Sequence, residues 1–293
     1  MSTTTALIYG GGAFFTGEDA ITDVKNSGFT TVVAWCIHIT ETGDLVFNDT
    51  PVVTGGKYIG DSGWNSQLAS FKEGTTSVNR VLLSILGPFQ YIQSLGTKKG
   101  GAIYNSFQAL FEALPAIDGI DFDNEDTYDD TTIPDFSLML QSIGYKQITF
   151  CPYEYPDTWA GWLKAIDAQA SDLVTGFNLQ CYDGGASNDP QDWITAIQNQ
   201  MGTSFDAKGF VYPGFWCVHP AAVTRVCTAG YDNDCPDTVT SRLKGWQSEG
   251  IQGGWIYLYD AIVDCLNSES CGAGTSMDTA AYASAIVAGL KES

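Results

Sequence analysis

Apolar, β-branched runs alternate along this chain with longer amphipathic segments. The runs at residues 6–9, 30–38, 80–86, 119–123, 147–152, 173–182, 209–213 and 253–259 predict strands. The segments at 22–27, 106–114, 134–143, 158–169, 191–199, 238–248 and 279–291 predict helices. Strands alternating with helices build β-α units on a parallel sheet. Eight strands in 293 residues is the count of a (β/α)8 TIM barrel. No Pro- or Ser-rich linker divides the chain, so residues 1–293 are expected to form one catalytic-type domain.

Composition narrows the class of partner. The chain is 44% hydrophobic and 13% aromatic, enough to fill one barrel core. Thirteen basic against 34 acidic residues leave a net charge of −21. That disfavours nucleic acid and anionic membrane surfaces, which are bound through positive charge. No apolar run approaches the ~20 residues that span a bilayer, so no membrane segment is expected. The start, Met1-Ser2-Thr3-Thr4-Thr5, has neither the basic nor the apolar region of a secretory leader; either a leader has been removed or the protein is made without one.

Cys36, Cys151, Cys181 and Cys217 sit in apolar runs, as buried small hydrophobes do. Cys227 with Cys235, and Cys265 with Cys271, close short segments rich in Asp, Asn, Ser and Gly. This predicts two loop disulfides and a secreted or extracellular protein, with the cytoplasm as the alternative. Cys-x-x-Cys spacing is absent and neither His38 nor His219 lies near a cysteine pair, so no metal and no cofactor is expected.

The candidate chemistry lies in Asp118-Gly119-Ile120-Asp121-Phe122-Asp123-Asn124-Glu125, which puts four acids into eight residues. On a strand, Asp121, Asp123 and Glu125 share one face and Ile120, Phe122 and Asn124 the other. Carboxylates this close push their pKa values apart, which leaves one protonated beside an ionised neighbour, as general acid catalysis requires. A solvated acidic loop is the bland alternative, and the apolar approach of Phe111, Leu114 and Ile117 argues against it. A calcium loop is the other. It needs glycine at its sixth position and glutamate at its twelfth, where this chain has Asp126 and Thr132.

These acids match the Asp-x-x-Asp-x-Asp-x-Glu signature of the family 18 glycoside hydrolases, and the chain resembles that family over most of its length. Val81-Leu82-Leu83-Ser84-Ile85-Leu86-Gly87 resembles the family's third strand, with Leu86 where its Ser-x-Gly-Gly motif has the first glycine. That variation, Asn124, and the polar loop after Glu125 are more similar to the endo-β-N-acetylglucosaminidases than to typical chitinases. Asn178-Leu179-Gln180-Cys181-Tyr182-Asp183 resembles the sixth strand. Gly253-Gly254-Trp255-Ile256-Tyr257 resembles the eighth, with Tyr257 where the family usually has the tryptophan floor of the sugar site. The connection from 215 to 251 is too sparse for the α+β domain many chitinases insert there, which implies a shallow, open groove.

The resemblance implies hydrolysis of β-1,4-linked N-acetylglucosamine glycans, either chitin oligomers or the chitobiose core of N-glycans, by substrate-assisted retention in which the substrate's own acetamido oxygen attacks the anomeric carbon; a monomer is expected. It implies that Glu125 is the acid and base, that Asp123 orients the acetamido N–H, that Asp121 tunes Asp123 by sharing a proton, and that Tyr182 donates to the acetamido oxygen. Tyr257, Gln180, Asn178, Asp183, Tyr9 and Trp255 are the expected substrate contacts. For Asn178 and Gln180 a purely internal hydrogen-bond network weighs equally. The orientations of Trp35, Trp64, Trp216 and Tyr153 stay open, and His38 and His219 read as structural. An inactive lectin or inhibitor on the same fold is the alternative function. Such relatives usually lose the terminal glutamate, which is present here as Glu125.

Overall fold

The computed structural model describes residues 4–12, 14, 18–221, 226–228 and 233–291. Eight parallel strands close into a barrel: Thr5–Gly10, Thr31–Ile39, Arg80–Gly87, Gly119–Phe122, Ile148–Phe150, Val174–Gln180, Val211–Trp216 and Gly253–Tyr257. The first strand pairs with both the second and the last, so the sheet has no free edge within the barrel. Each predicted strand matches one of these. Helices Glu18–Ser27, Ala102–Ala113, Thr132–Ile143, Pro156–Asp167, Pro190–Met201, Pro236–Trp246 and Thr279–Leu290 occupy the seven predicted helical segments. The fold is a single (β/α)8 barrel, and no α+β insertion domain is present among the described residues.

Two apolar layers follow from the period-two alternation of the strands. Leu7, Tyr9, Val33, Leu82, Cys151, Tyr182, Tyr212 and Trp255 fill the barrel interior. Their strand neighbours, such as Ala6, Ile8, Val32, Leu83, Ile120 and Phe122, face outward against the helices. The acid-bearing strand obeys the same rule: Ile120 and Phe122 point to the helices, which leaves Asp121 and Asp123 for the interior.

Several elements differ from expectation. Residues after the second strand form antiparallel strands Leu45–Phe47, Thr50–Thr54 and Lys57–Tyr58, and short helices Trp64–Ser70 and Gln90–Leu95 follow. The eighth strand stops at Tyr257, and Tyr259 opens a helix, Tyr259–Cys265, where the apolar run predicts continued strand. The acid-bearing strand ends at Phe122, one residue before the predicted end at Asp123, although the Asp123 N–H still donates to Ile85 O at 2.9 Å, and Glu125 lies beyond the strand.

The four loop cysteines form two disulfides, but not in the expected pairs. Cys227 bonds Cys265 and Cys235 bonds Cys271. Helix Tyr259–Cys265 packs against strand His219–Pro220, so the connections after the seventh and eighth strands meet, and each cysteine reaches across rather than along its own loop. The bridges span 38 and 36 residues. In the chain-entropy model loops of that size stabilise by about 4 kcal/mol each, against about 2.5 for the short loops first expected. Cys36, Cys151, Cys181 and Cys217 are free and buried, as their apolar runs predict. A non-reduced digest should therefore yield crossed peptides, and Cys227→Ser with Cys265→Ser should lower the unfolding free energy by about 2–4 kcal/mol. Peptides joining Cys227 to Cys235 would contradict the structure.

Candidate active site

The first acid of the motif, Asp118, belongs to the opposite end of the strand from the others. Lys72 pairs with it at 2.7 Å and the Val81 N–H donates to it, so it anchors the strand start. The remaining three rise toward the C-terminal mouth, where (β/α)8 barrels place their active sites.

Asp121 is fully buried and accepts four hydrogen bonds. Tyr9 Oη and Ser84 Oγ reach Oδ2 at 3.0 and 2.9 Å; Thr149 Oγ1 and Asn178 Nδ2 reach Oδ1 at 2.6 and 2.9 Å. Burial pushes the Asp121 carboxyl up, and the four donors pull against that shift. Asp123 lies one layer higher, with Trp35 Nε1–H donating to Oδ2 and Gln180 Nε2–H to Oδ1, both at 3.1 Å. Burial raises its pKa well above the usual carboxylate range, and the charges of Glu125 and Asp121 raise it further. The proton sharing expected between Asp121 and Asp123 gives way to coupling through space, because the four donors fill the acceptor positions of Asp121.

Glu125 is exposed at the rim. Gln180 Nε2 lies 3.3 Å from its Oε1, so one amide contacts both Asp123 and Glu125 and fixes their separation. The Gln180 amide is itself held by Cys151 O at 3.2 Å. Trp35, Leu86, Asp123, Glu125, Gln180, Tyr182, Asp183, Trp216 and Tyr257 enclose a pocket of about 200 Å³. The ends of six barrel strands thus converge on one cavity small enough for a sugar ring. Tyr257 lines it, stacking on Tyr182 at 5.9 Å and meeting Trp35 and Trp216 edge-on at 5.3 and 5.8 Å.

Three residues expected at the substrate surface lie beneath it. Asn178 and Trp255 have no exposed surface and Tyr9 has 1%. Asn178 and Tyr9 hold Asp121, and Trp255 packs under Tyr9 and Tyr182 at 4.5 and 5.6 Å. Each sits one inward position too deep, so it packs beneath the pocket instead of lining it. Trp35 and Trp216, whose direction the sequence leaves open, face the pocket. Ser84 and Thr149 carry no sequence signal of a site, because a hydroxyl in an apolar strand looks like ordinary strand packing. His219 stacks on Trp216 at 4.6 Å and buttresses it.

Neither a comparison with protein-family models nor one with curated proteins gives a match. Solved structures do match over nearly the whole length. A GH18 chitinase from Pseudoalteromonas aurantia superposes with TM-score 0.63 at 12% identity, covering 98% of this chain and 100% of its own. The chain has the fold of the family 18 chitinases. Two further examples support this. A Group IV chitinase from Ostrinia furnacalis, solved with allosamidin, matches at TM-score 0.59 and 14% identity, over 98% of this chain and 100% of that one. Active domain 2 of the thermostable Pyrococcus furiosus chitinase, in catalytic-site mutants complexed with chito-oligosaccharides, matches at TM-score 0.67 and 9% identity, over 99% and 95%. At such identities the likeness is one of fold, and the chemistry has to be argued from the pocket.

Proposed function

We propose that this protein is a secreted, retaining glycoside hydrolase of β-1,4-linked N-acetylglucosamine chains, working by substrate assistance. The observation that carries the reading is the Asp123–Gln180–Glu125 bridge in the pocket that Tyr257 lines: a buried carboxyl of raised pKa and an exposed one, held by a single amide. A substrate that brings its own nucleophile suits Asp121 and Asp123 as they are held. Asp121 is enclosed by four donors and cannot approach an anomeric carbon, and Asp123 is tied to Trp35 and Gln180.

In the proposed reaction the sugar stacks on Tyr257 between Trp35 and Trp216. Glu125, at the open rim, donates a proton to the departing glycosidic oxygen and afterwards accepts one from water. Asp123 accepts the acetamido N–H, which turns the carbonyl oxygen toward the anomeric carbon and stabilises the positive charge that develops on the ring it forms. Among the described residues no hydrogen bond engages the Tyr182 hydroxyl, and its phenol is pushed well up by burial and by Cys151 and Asp123. It therefore stays protonated and free to donate to the acetamido oxygen. Two disulfides fit a protein folded in an oxidising compartment, and no described helix is long and apolar enough to cross a membrane.

Release of a fluorophore from chitobiose and chitotriose conjugates tests the proposal. Cello-oligosaccharides of the same length lack the acetamido group and should not be cut. Comparable cleavage of both would overturn substrate assistance, and binding of chito-oligosaccharides without hydrolysis would instead assign the protein as a lectin.

A further inference from the structure

The lowest layer of the barrel interior is polar, where such barrels ordinarily pack bulky apolar residues. Period-two alternation carries the inward face down each strand from the residues that fill the interior. Below Leu7, Val33 and Leu82 it reaches Thr5, Thr31 and Arg80, and below Cys151 and Thr149 it reaches Gln147. Tyr212 belongs to the same face, and a glycine flanks it on each neighbouring strand: a Cβ at Gly176 or Gly253 would come within 2.7 or 2.6 Å of its ring. These side chains line a cavity of about 360 Å³ at the N-terminal end of the barrel, away from the Tyr257 pocket.

Arg80 is the charge in this layer, and its counter-charge is missing. The whole chain carries −21, yet among the described residues no carboxylate lies within ion-pair distance of Arg80. Asp118, the carboxylate whose charge supports it most, is taken by Lys72 at 2.7 Å. Burial works against the guanidinium charge and lowers its pKa. Its one hydrogen bond among the described residues runs from Nε–H to Thr31 Oγ1 at 3.2 Å, which leaves the four Nη–H for the cavity. Thr31 is 1% exposed, and its hydroxyl accepts that bond without donating one of its own among the described residues. Gln147 Oε1 is buried with no hydrogen-bond partner. A desolvated cation and two half-used polar groups around one cavity are costly until something completes them.

We propose that this cavity binds a phosphate group, either the free ion or the monoester of a small alcohol. The planar guanidinium offers parallel N–H donors to two phosphate oxygens, and the Thr31 hydroxyl donates to a third. A hydroxyl on the phosphate, or on the alcohol it esterifies, donates to Gln147 Oε1. A planar carboxylate has two oxygens and no donor, so it would leave Gln147 unmatched. The bound group ties together the starts of the second, third and fifth barrel strands through Thr31, Arg80 and Gln147. It lies at the opposite end of the barrel from the carboxylate ladder and stands apart from the proposed hydrolysis.

Titration calorimetry with inorganic phosphate, glycerol phosphate and acetate at fixed ionic strength is the test. The wild-type protein should bind one equivalent of phosphate saturably, and the tighter of the two phosphates tells whether the free ion or an ester is the occupant. Arg80→Gln should weaken that binding about tenfold or more, the size of a hydrogen bond to a charged group. Lys57→Gln, which removes an exposed charge outside the barrel, should leave it unchanged. Thr31→Val, of nearly the same size, should also weaken binding, and it decides the matter if Arg80→Gln does not fold. Four results would each overturn the site: no saturable phosphate binding at millimolar concentration, equal binding by the wild type and either cavity variant, an equal loss with Lys57→Gln, or acetate held as tightly as phosphate.

Discussion

Glu125→Gln is expected to lower turnover of chito-oligosaccharides by at least about 10²-fold, while the sugars still bind. The substitution keeps the shape and the contact with Gln180, which lies 3.3 Å from Glu125 Oε1. It removes the carboxyl that the proposed reaction uses to protonate the departing oxygen. Asp123 cannot take over, since burial, Trp35 and Gln180 hold it in the pocket below. The leaving group supplies a sharper signature than the rate alone. A conjugate whose phenol is acidic enough to depart unprotonated should lose far less than an oligosaccharide on the same substitution. Equal losses on both would assign Glu125 a merely structural part, and unchanged turnover on both would remove it from the chemistry.

The carboxylate ladder is legible in the sequence because the apolar and acidic residues follow one period-two alternation. Ile120 and Phe122 must face the helices, and the same alternation delivers Asp121 and Asp123 to the interior. The barrel strands are legible for a related reason: buried on both faces, parallel strands read as apolar runs. Legibility ends where a side chain's depth along a strand matters. Tyr257 and Trp255 share a face and differ by one inward step, yet Tyr257 lines the pocket and Trp255 has no exposed surface. That step depends on the stagger of neighbouring strands around the closed barrel, which is a tertiary property.

The disulfides show the same boundary. Composition identifies the four cysteines, but which of them meet depends on helix Tyr259–Cys265 packing against strand His219–Pro220 after the seventh barrel strand. The antiparallel excursion Leu45–Tyr58 is missed for another reason. Its strands are two to five residues long and partly exposed, too short to show a period.

Asp123→Asn should separate activity from stability. Turnover is expected to fall by about 10²-fold, the scale of losing one preorganised partner of a developing charge. Stability should move the other way. Burial, Glu125 and Asp121 raise the folded-state pKa of Asp123, so between the ordinary carboxylate value and that raised value the folded protein holds a proton that the unfolded chain has released. The unfolded state then binds fewer protons, and wild-type stability falls as pH rises through this window. Asparagine does not titrate. Its advantage is absent below the ordinary carboxylate pKa, grows across the window and levels off above the raised value. Near neutral pH the gain should lie in the range of about 0.5–2 kcal/mol seen when a strained functional group is relieved, partly offset because one amide oxygen cannot serve both Trp35 Nε1–H and Gln180 Nε2–H. Thermal unfolding of both proteins from pH 3 to pH 8 reads this directly. Curves that diverge with rising pH, the asparagine variant higher, support a carboxyl kept under electrostatic strain for catalysis. A variant less stable at every pH, with activity lost in proportion, would make Asp123 a structural residue and leave the substrate's acetamido group without its proposed partner.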